Sequence, residues 1–192
     1  MSVIGIDVGT SSCKGLLLTD GATVQGTSRA AYEMLHDHGG RSEIDSQQVC
    51  DGVWRVIGEL ASLARQTGDS VAAISFAVSG NEATAVADDG DALMPTIGSM
   101  DARGDEMLAS WIERVDPARC YQVTGIPPHV MHPLMRLRWM RDADPTTFQR
   151  LHRFLCWGDL LALRLGAEPG IDHSMASCTM AFDIRERAWS DE

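Results

Sequence analysis

Lysine is almost missing from this chain: Lys14 stands alone beside fifteen arginines in 192 residues. No run approaches the roughly eighteen consecutive apolar residues of a membrane-spanning helix. The opening Met1-Ser2-Val3-Ile4-Gly5-Ile6-Asp7 has no basic start, and Asp7 cuts its apolar run short, so it does not read as a secretion signal. A membrane partner is not expected. The five cysteines (Cys13, Cys50, Cys120, Cys156, Cys178) form an odd set without CxxC spacing, which suits reduced thiols in a cytoplasmic protein better than a disulfide framework or a zinc site. Positive charge is also short. A formal net charge of -11 argues against the broad basic surface that tracks nucleic acid, so nucleic acid is not an expected partner. A nucleoside triphosphate would have to be met locally, by backbone amides, a metal ion and a few basic side chains. With 44% apolar and 22% charged residues, no low-complexity run and no internal repeat, the composition is that of an ordinary folded protein. The chain is long enough to bury one good core, and residues 1–192 are read as one domain.

Hydrophobic patterning places strands at residues 3–8 and 13–19, joined by a turn at 9–12. The pair Asp20-Gly21 then turns the chain into a third strand at 23–30. Residues 46–65 carry Val49, Val53, Trp54, Ile57, Leu60, Ala61 and Leu63 at helical spacing and end at Thr67-Gly68. The continuous apolar stretch 71–78 reads as a strand buried on both faces. A further strand is expected at 83–87 before the Asp88-Asp89-Gly90 turn, with helices near 105–115, 132–141 and 158–165. An antiparallel three-strand start, a crossover helix and a parallel strand make a mixed-sheet α/β domain.

The turn Gly9-Thr10-Ser11-Ser12 between the first two strands can serve as a phosphate loop. Gly9 permits close approach, Thr10 to Ser12 offer amides and hydroxyls, and Lys14 lies two residues beyond. Asp7, at the end of a strand read as buried, needs compensation and could orient magnesium. A plain glycine hairpin with a self-capping aspartate accounts for the same residues.

The segment Gly5 to Asp20, GIDVGTSSCKGLLLTD, resembles the opening phosphate loop of the FGGY family of carbohydrate kinases, which includes xylulokinases, gluconokinases and glycerol kinases. Later segments are similar in the same order: Arg41-Ser42-Glu43-Ile44-Asp45 before the first long helix, Ser79-Gly80-Asn81-Glu82-Ala83-Thr84 at the first sugar-contacting turn, and Pro95 to Arg103 ending in an Asp and Arg pair. Thr124 to His129, then His132 to Trp139, look most like the gluconokinase branch. Residues 155–159 and 172–183 with Trp189 resemble the end of the family's first domain.

The resemblance implies a ribonuclease-H-like, actin-like ATPase fold and ATP-dependent phosphorylation of a sugar, polyol or sugar-acid hydroxyl, with ATP and Mg²⁺ as cofactors. It implies nucleotide contacts at Asp7, Gly9, Thr10, Ser11, Ser12 and Lys14, with Asp7 as the metal residue, and substrate contacts at Asn81, Glu82, Asp101 and His129. The family's catalytic base is expected beyond Glu192, in a C-terminal ATP-binding domain, and the full-length form is expected to be a homodimer. The family's sugar turn carries Gln-Met-His or Arg-Glu where this chain has Asn81-Glu82-Ala83, so the usual histidine is missing. That departure leaves room for a non-catalytic sugar or nucleotide sensor. The arginines Arg136, Arg138 and Arg141 read as a solvated helix face, and Met131, Leu134, Met135, Leu137 and Trp139 as core.

Overall fold

The computed structural model describes residues 1–191. The chain opens with β1 (Ser2–Val8), β2 (Ser12–Thr19) and β3 (Val24–Ala31), followed by the short β4 (Met34–His36) and β5 (Ser42–Ile44), α1 (Ser46–Gln66) and β6 (Val71–Val78). It continues with β7 (Ala83–Val86), β8 (Thr96–Ile97), α2 (Asp105–Ile112), α3 (Pro117–Thr124), α4 (Pro133–Ala143) and α5 (Pro145–Arg150). The last elements are β9 (Arg153–Cys156), α6 (Trp157–Arg164), α7 (His173–Ser177), β10 (Phe182–Asp183) and β11 (Ala188–Trp189). Two compact units form: one from Met1–Met34 with Ile44–Ser79, the other from Leu35–Glu43 with the chain from Gly80 onward.

The first unit is the expected mixed sheet, ordered β3-β2-β1-β6. The meander β1-β2-β3 is antiparallel and β6 lies parallel to β1, which requires the crossover that α1 supplies. Asp45 caps α1 by accepting from the Gln47 amide at 2.9 Å. Val49, Cys50, Val53, Val56, Leu60 and Ala64 make its buried stripe against Ile4, Ile6, Val8, Cys13 and Leu17 of the sheet. Trp54, Ile57 and Leu63, expected on that stripe, flank it and stay partly exposed. The helix approaches β2 closely at Gly15, where a Cβ would stand 2.4 Å from Val56 Cγ1 and 2.8 Å from Leu60 Cδ1 and would force those buried side chains to move.

The strand at 71–78 has the expected position but not the expected burial. β6 is an edge strand, with Ala72, Ala73, Ile74, Ser75 and Ala77 exposed. The physical reason is the placement of the only helix of this unit, which lies across β1, β2 and β3.

The second unit holds a sheet ordered β4-β5-β8-β7-β9 with the short helices around it. Strand β7 is buried throughout and pairs antiparallel with both β8 and β9, Ala83 standing opposite Ile97 and Cys156. A buried hydroxyl pair, Thr84 with Thr96 at 2.6 Å, joins β7 to β8. Helices α3, α5 and α7 carry too few apolar residues for periodicity to reveal them. Each instead starts at an aspartate (Asp116, Asp144, Asp172) whose side chain accepts from the helix's first turn.

Asp159, in the first turn of α6, has a distinct environment. It accepts the Cys156 amide at 3.1 Å and lines an apolar cavity of about 320 Å³ with Leu137, Leu155 and Ile171. Burial, assisted by the charge of Asp172 and opposed by the bond from Cys156, pushes its carboxyl up to about 6. A raised carboxyl stabilises the fold fully below the unfolded value near 4 and loses that contribution as pH rises through about 6. Asp159→Asn keeps the acceptor and removes the charge. It is expected to raise stability at pH 7.5 by about 2 to 3 kcal/mol and to flatten the pH dependence between roughly 4 and 6. Chemical denaturation across that range checks it; an unchanged pH profile would contradict the assignment.

Candidate functional site

In the first unit, the turn after β1 is closed by the Gly9 amide donating to the Ser12 carbonyl at 3.1 Å. Tyr32 braces it from β3's end: its amide donates to the Ser11 carbonyl at 3.1 Å and its hydroxyl to the Gly9 carbonyl. These bonds occupy carbonyls and leave the amides of Thr10 and Ser11 without a protein acceptor among the described residues. A Cβ on Gly9 would meet only the Ser12 carbonyl, at an ordinary 3.5 Å, so the turn's own packing does not demand glycine. Its bareness matters to whatever approaches from outside. Free amides beside a bare backbone fit a phosphate group.

Asp7 and Lys14 are register partners across β1 and β2, both on the face turned away from α1, where they line a shallow concavity of about 830 Å³ with Arg29 and Ser75. Asp7 is exposed rather than buried, because its place in the alternation of β1 puts it opposite the helix-covered side. Its carboxylate therefore carries no burial cost that a cation would have to offset. Exposure instead leaves it accessible to a hydrated metal ion, the form in which magnesium is usually held. Among the described residues no cluster of three His, Cys, Asp or Glu could hold a metal by protein ligands alone.

In the second unit, Asn81 and Glu82 form the turn that leads into β7. Glu82 is fully enclosed, and both its carboxylate oxygens lack a hydrogen-bond partner; Asn81 is partly exposed, with an inward Oδ1 that also lacks one. Such atoms are costly unless water, a ligand or a counter-charge meets them. The counter-charge is Arg136 of α4, 2% exposed, which donates through Nη1 to the Asn81 carbonyl. Burial pulls the Arg136 guanidinium down to about 10, with Glu82 the largest opposing charge and Asp101 next. Arg136 thus does not lie on the solvated face that its spacing with Arg138 and Arg141 suggests. α4 turns it inward beside Met135, and only Arg141 is well exposed.

Asp101 is 2% exposed and engaged at both oxygens. Oδ1 accepts from the amide and Nε of Arg103, each at 2.9 Å; Oδ2 accepts from the Ser42 amide at 2.7 Å and from Arg103 Nη2 at 2.8 Å. Burial works against its ionisation, but the bonds from Arg103 and Ser42 outweigh it and hold the carboxyl below the usual range. Arg103 also reaches Glu43 at 2.8 Å and stacks over Trp139 at 4.8 Å. His129 is exposed, and its Nδ1 accepts the Met131 amide at 3.1 Å, which leaves Nε2 as its outward donor. Its neighbour His132 is buried between the Cys178 and Pro127 carbonyls, and burial lowers its pKa.

The structure therefore divides the expected residues between the two units: Asp7, Gly9, Thr10, Ser11, Ser12 and Lys14 lie in one, and Asn81, Glu82, Asp101 and His129 in the other, where Arg136 feels the charges of both Glu82 and Asp101. Sequence reasoning missed Arg136, and its one available signal was weak: an arginine one position after the buried Met135, flanked by Leu134 and Leu137. No helix among the described residues is long and apolar enough to cross a membrane.

The chain as a whole is similar to known proteins. The family model for the N-terminal domain of the FGGY family of carbohydrate kinases matches residues 2–192. The xylulose kinase of Lactococcus lactis is 25% identical over 190 residues, covering 99% of this chain and 38% of that protein; the gluconokinase of Bacillus subtilis is 23% identical, covering 99% and 37%. Among solved structures, the xylulose kinase from Rhodospirillum rubrum superposes with a TM-score of 0.93 at 24% identity, over 99% of this chain and 40% of that one. The chain thus spans well under half the length of the proteins it resembles. The structural likeness bears out the actin-like ATPase fold, with its three-strand antiparallel start and flanking helices.

Proposed function

Since the chain belongs to the FGGY family of carbohydrate kinases through its N-terminal domain, we propose that it supplies the sugar-binding lobe and phosphate loop of an enzyme that phosphorylates a hydroxyl of an uncharged sugar or polyol from ATP. The observation that carries the acceptor side is the inward-facing oxygen set of Asn81 and Glu82, three acceptors without partners. Acceptors in that state suit the donor hydroxyls of a polyol, met directly at the partly exposed Asn81 and through a bridging water at the enclosed Glu82. The surrounding charges favour a neutral ligand. Glu82, Asp101 and Glu43 set three carboxylates against the two guanidiniums of Arg103 and Arg136, and the whole chain is strongly acidic. A sugar acid would add a further negative charge to this cluster.

On the nucleotide side, Thr10 and Ser11 would hold phosphate oxygens through their free amides, with Gly9 leaving room, Ser12 closing the turn and Lys14 adding a positive charge. Asp7 would orient a magnesium ion, which when bound neutralises charge on the transferring phosphoryl group. Asp101, with both oxygens occupied, supports the site as a brace, and the exposed His129 would keep Nε2 free to donate. The protein would work in the cytoplasm, and its full-length form would pair as a homodimer.

Thermal unfolding with a panel of glycerol, xylitol, D-xylulose and gluconate tests the acceptor reading. A ligand at a hundredfold its dissociation constant adds about 2.7 kcal/mol of stability, a shift of several degrees for a chain of this size. The neutral compounds are expected to produce it and gluconate is not. A shift with gluconate alone would refute the neutral-acceptor reading.

A further inference from the structure

We infer that Arg136 is a positioning residue, which fixes the Asn81–Glu82 turn in the shape that accepts a polyol hydroxyl. The inference rests on the acceptor reading above and adds to it the group that holds the turn. The turn is gripped on two sides. At Gly80 an added Cβ would stand 3.1 Å from Cys178 Sγ, so the residue that caps α7 leaves little room for a side chain there. At Asn81 the main-chain carbonyl takes the Nη1 hydrogen bond of Arg136. Immediately afterwards the chain is locked into β7, with Ala83 opposite Cys156. The one segment not tied by strand pairing is thus the segment Arg136 holds.

A purely structural role fits the chemistry less well. Arg136 Nε and Nη2 are buried without partners, as are both Glu82 oxygens, although these opposite charges act on one another. A packing arginine would be expected to close a two-point bond with that carboxylate. Here the guanidinium spends one donor on the backbone and keeps two donors available near an acceptor that is also available. That arrangement suits water or a hydroxyl placed among them. Arg136 is also anchored, since α4 begins at Pro133 and buries Pro133, Met135 and Met140 with it. A lysine could restore the charge but not the planar fork that reaches a carbonyl while presenting further donors.

The test uses the chain with Arg136→Lys and with the double substitution Glu82→Gln/Arg136→Met, which leaves no unpaired charge and so keeps a folded variant available. Two measurements are made: amide hydrogen exchange over residues 80–84, with no sugar present, and calorimetric titration with xylitol. In Arg136→Lys, exchange over the turn is expected to rise about tenfold or more while that of β1 is unchanged, and xylitol affinity to fall by about tenfold or more. The double variant should fold and show both effects more strongly. Wild-type exchange and affinity in either folded variant overturns the inference. If the unsubstituted chain binds neither xylitol nor glycerol, the acceptor reading fails instead, and the exchange measurement alone decides whether Arg136 fixes the turn.

Discussion

Asp101→Ala is expected to lower the unfolding free energy by about 3 to 5 kcal/mol, the range for removing one partner of a buried ion pair. The substitution strips the acceptor from four donors at once, namely the Ser42 and Arg103 amides and two nitrogens of Arg103. Arg103 would keep Glu43 at 2.8 Å, which offsets part of the loss. Asp101→Asn should fall between the two, since an amide keeps one acceptor but turns a donor toward Arg103 or Ser42. The sign of the pH effect follows from the lowered carboxyl: its contribution is present above the ordinary carboxylate pKa and is lost as pH falls through the lower folded value. Urea unfolding at pH 7 reads the main effect. A change below about 1 kcal/mol, the scale of an exposed pair, would show that Asp101 does not brace this unit.

The chain assayed alone with ATP, magnesium and a polyol panel is expected to fold and to show no measurable sugar phosphorylation. It spans 38% of the Lactococcus lactis xylulose kinase, and the family resemblance implies that the catalytic base and the adenine-binding segments fall outside the matched part. Loss of a general base costs about a hundred- to ten-thousandfold, and loss of the closure that aligns the hydroxyl with the phosphorus costs several kcal/mol more. A coupled assay on repurified chain provides the measurement. Turnover that persists through repurification and vanishes in Asp7→Ala would show that this lobe is sufficient, and the two-lobe account would be wrong.

The strands and long helix of the first unit were legible because their signals are local. Apolar runs set β1 and β2, Asp20-Gly21 set the hairpin, and helical spacing closed by Thr67-Gly68 set α1. What failed was inference about neighbours. An apolar run such as 71–78 carries the same signal whether or not another layer covers it, so the sequence alone points to an enclosed strand where β6 is exposed. Arg136 was missed for the same reason, since three arginines spaced along one helix say nothing of which one meets a carboxylate from another element. The site residues named in advance sit at turns and strand ends, where glycine and polar residues interrupt apolar runs. The helices α3, α5 and α7 are set by aspartate caps over one or two turns, too short for periodicity to register.

The parallel pairing of β1 with β6 joins residues about seventy positions apart, Val3 meeting Ala73. Closing so large a loop is slow compared with forming the β1-β2-β3 meander, whose neighbouring strands are joined by short turns. β6 is then the last strand to be held on folding and the first to be released, with one neighbour and few buried side chains to retain it. What is released is an eight-residue segment, Val71 to Val78, without a charge or a proline. Such a segment is self-adhesive when free. Opening at this edge would therefore expose a segment that favours self-association of this chain as its concentration rises.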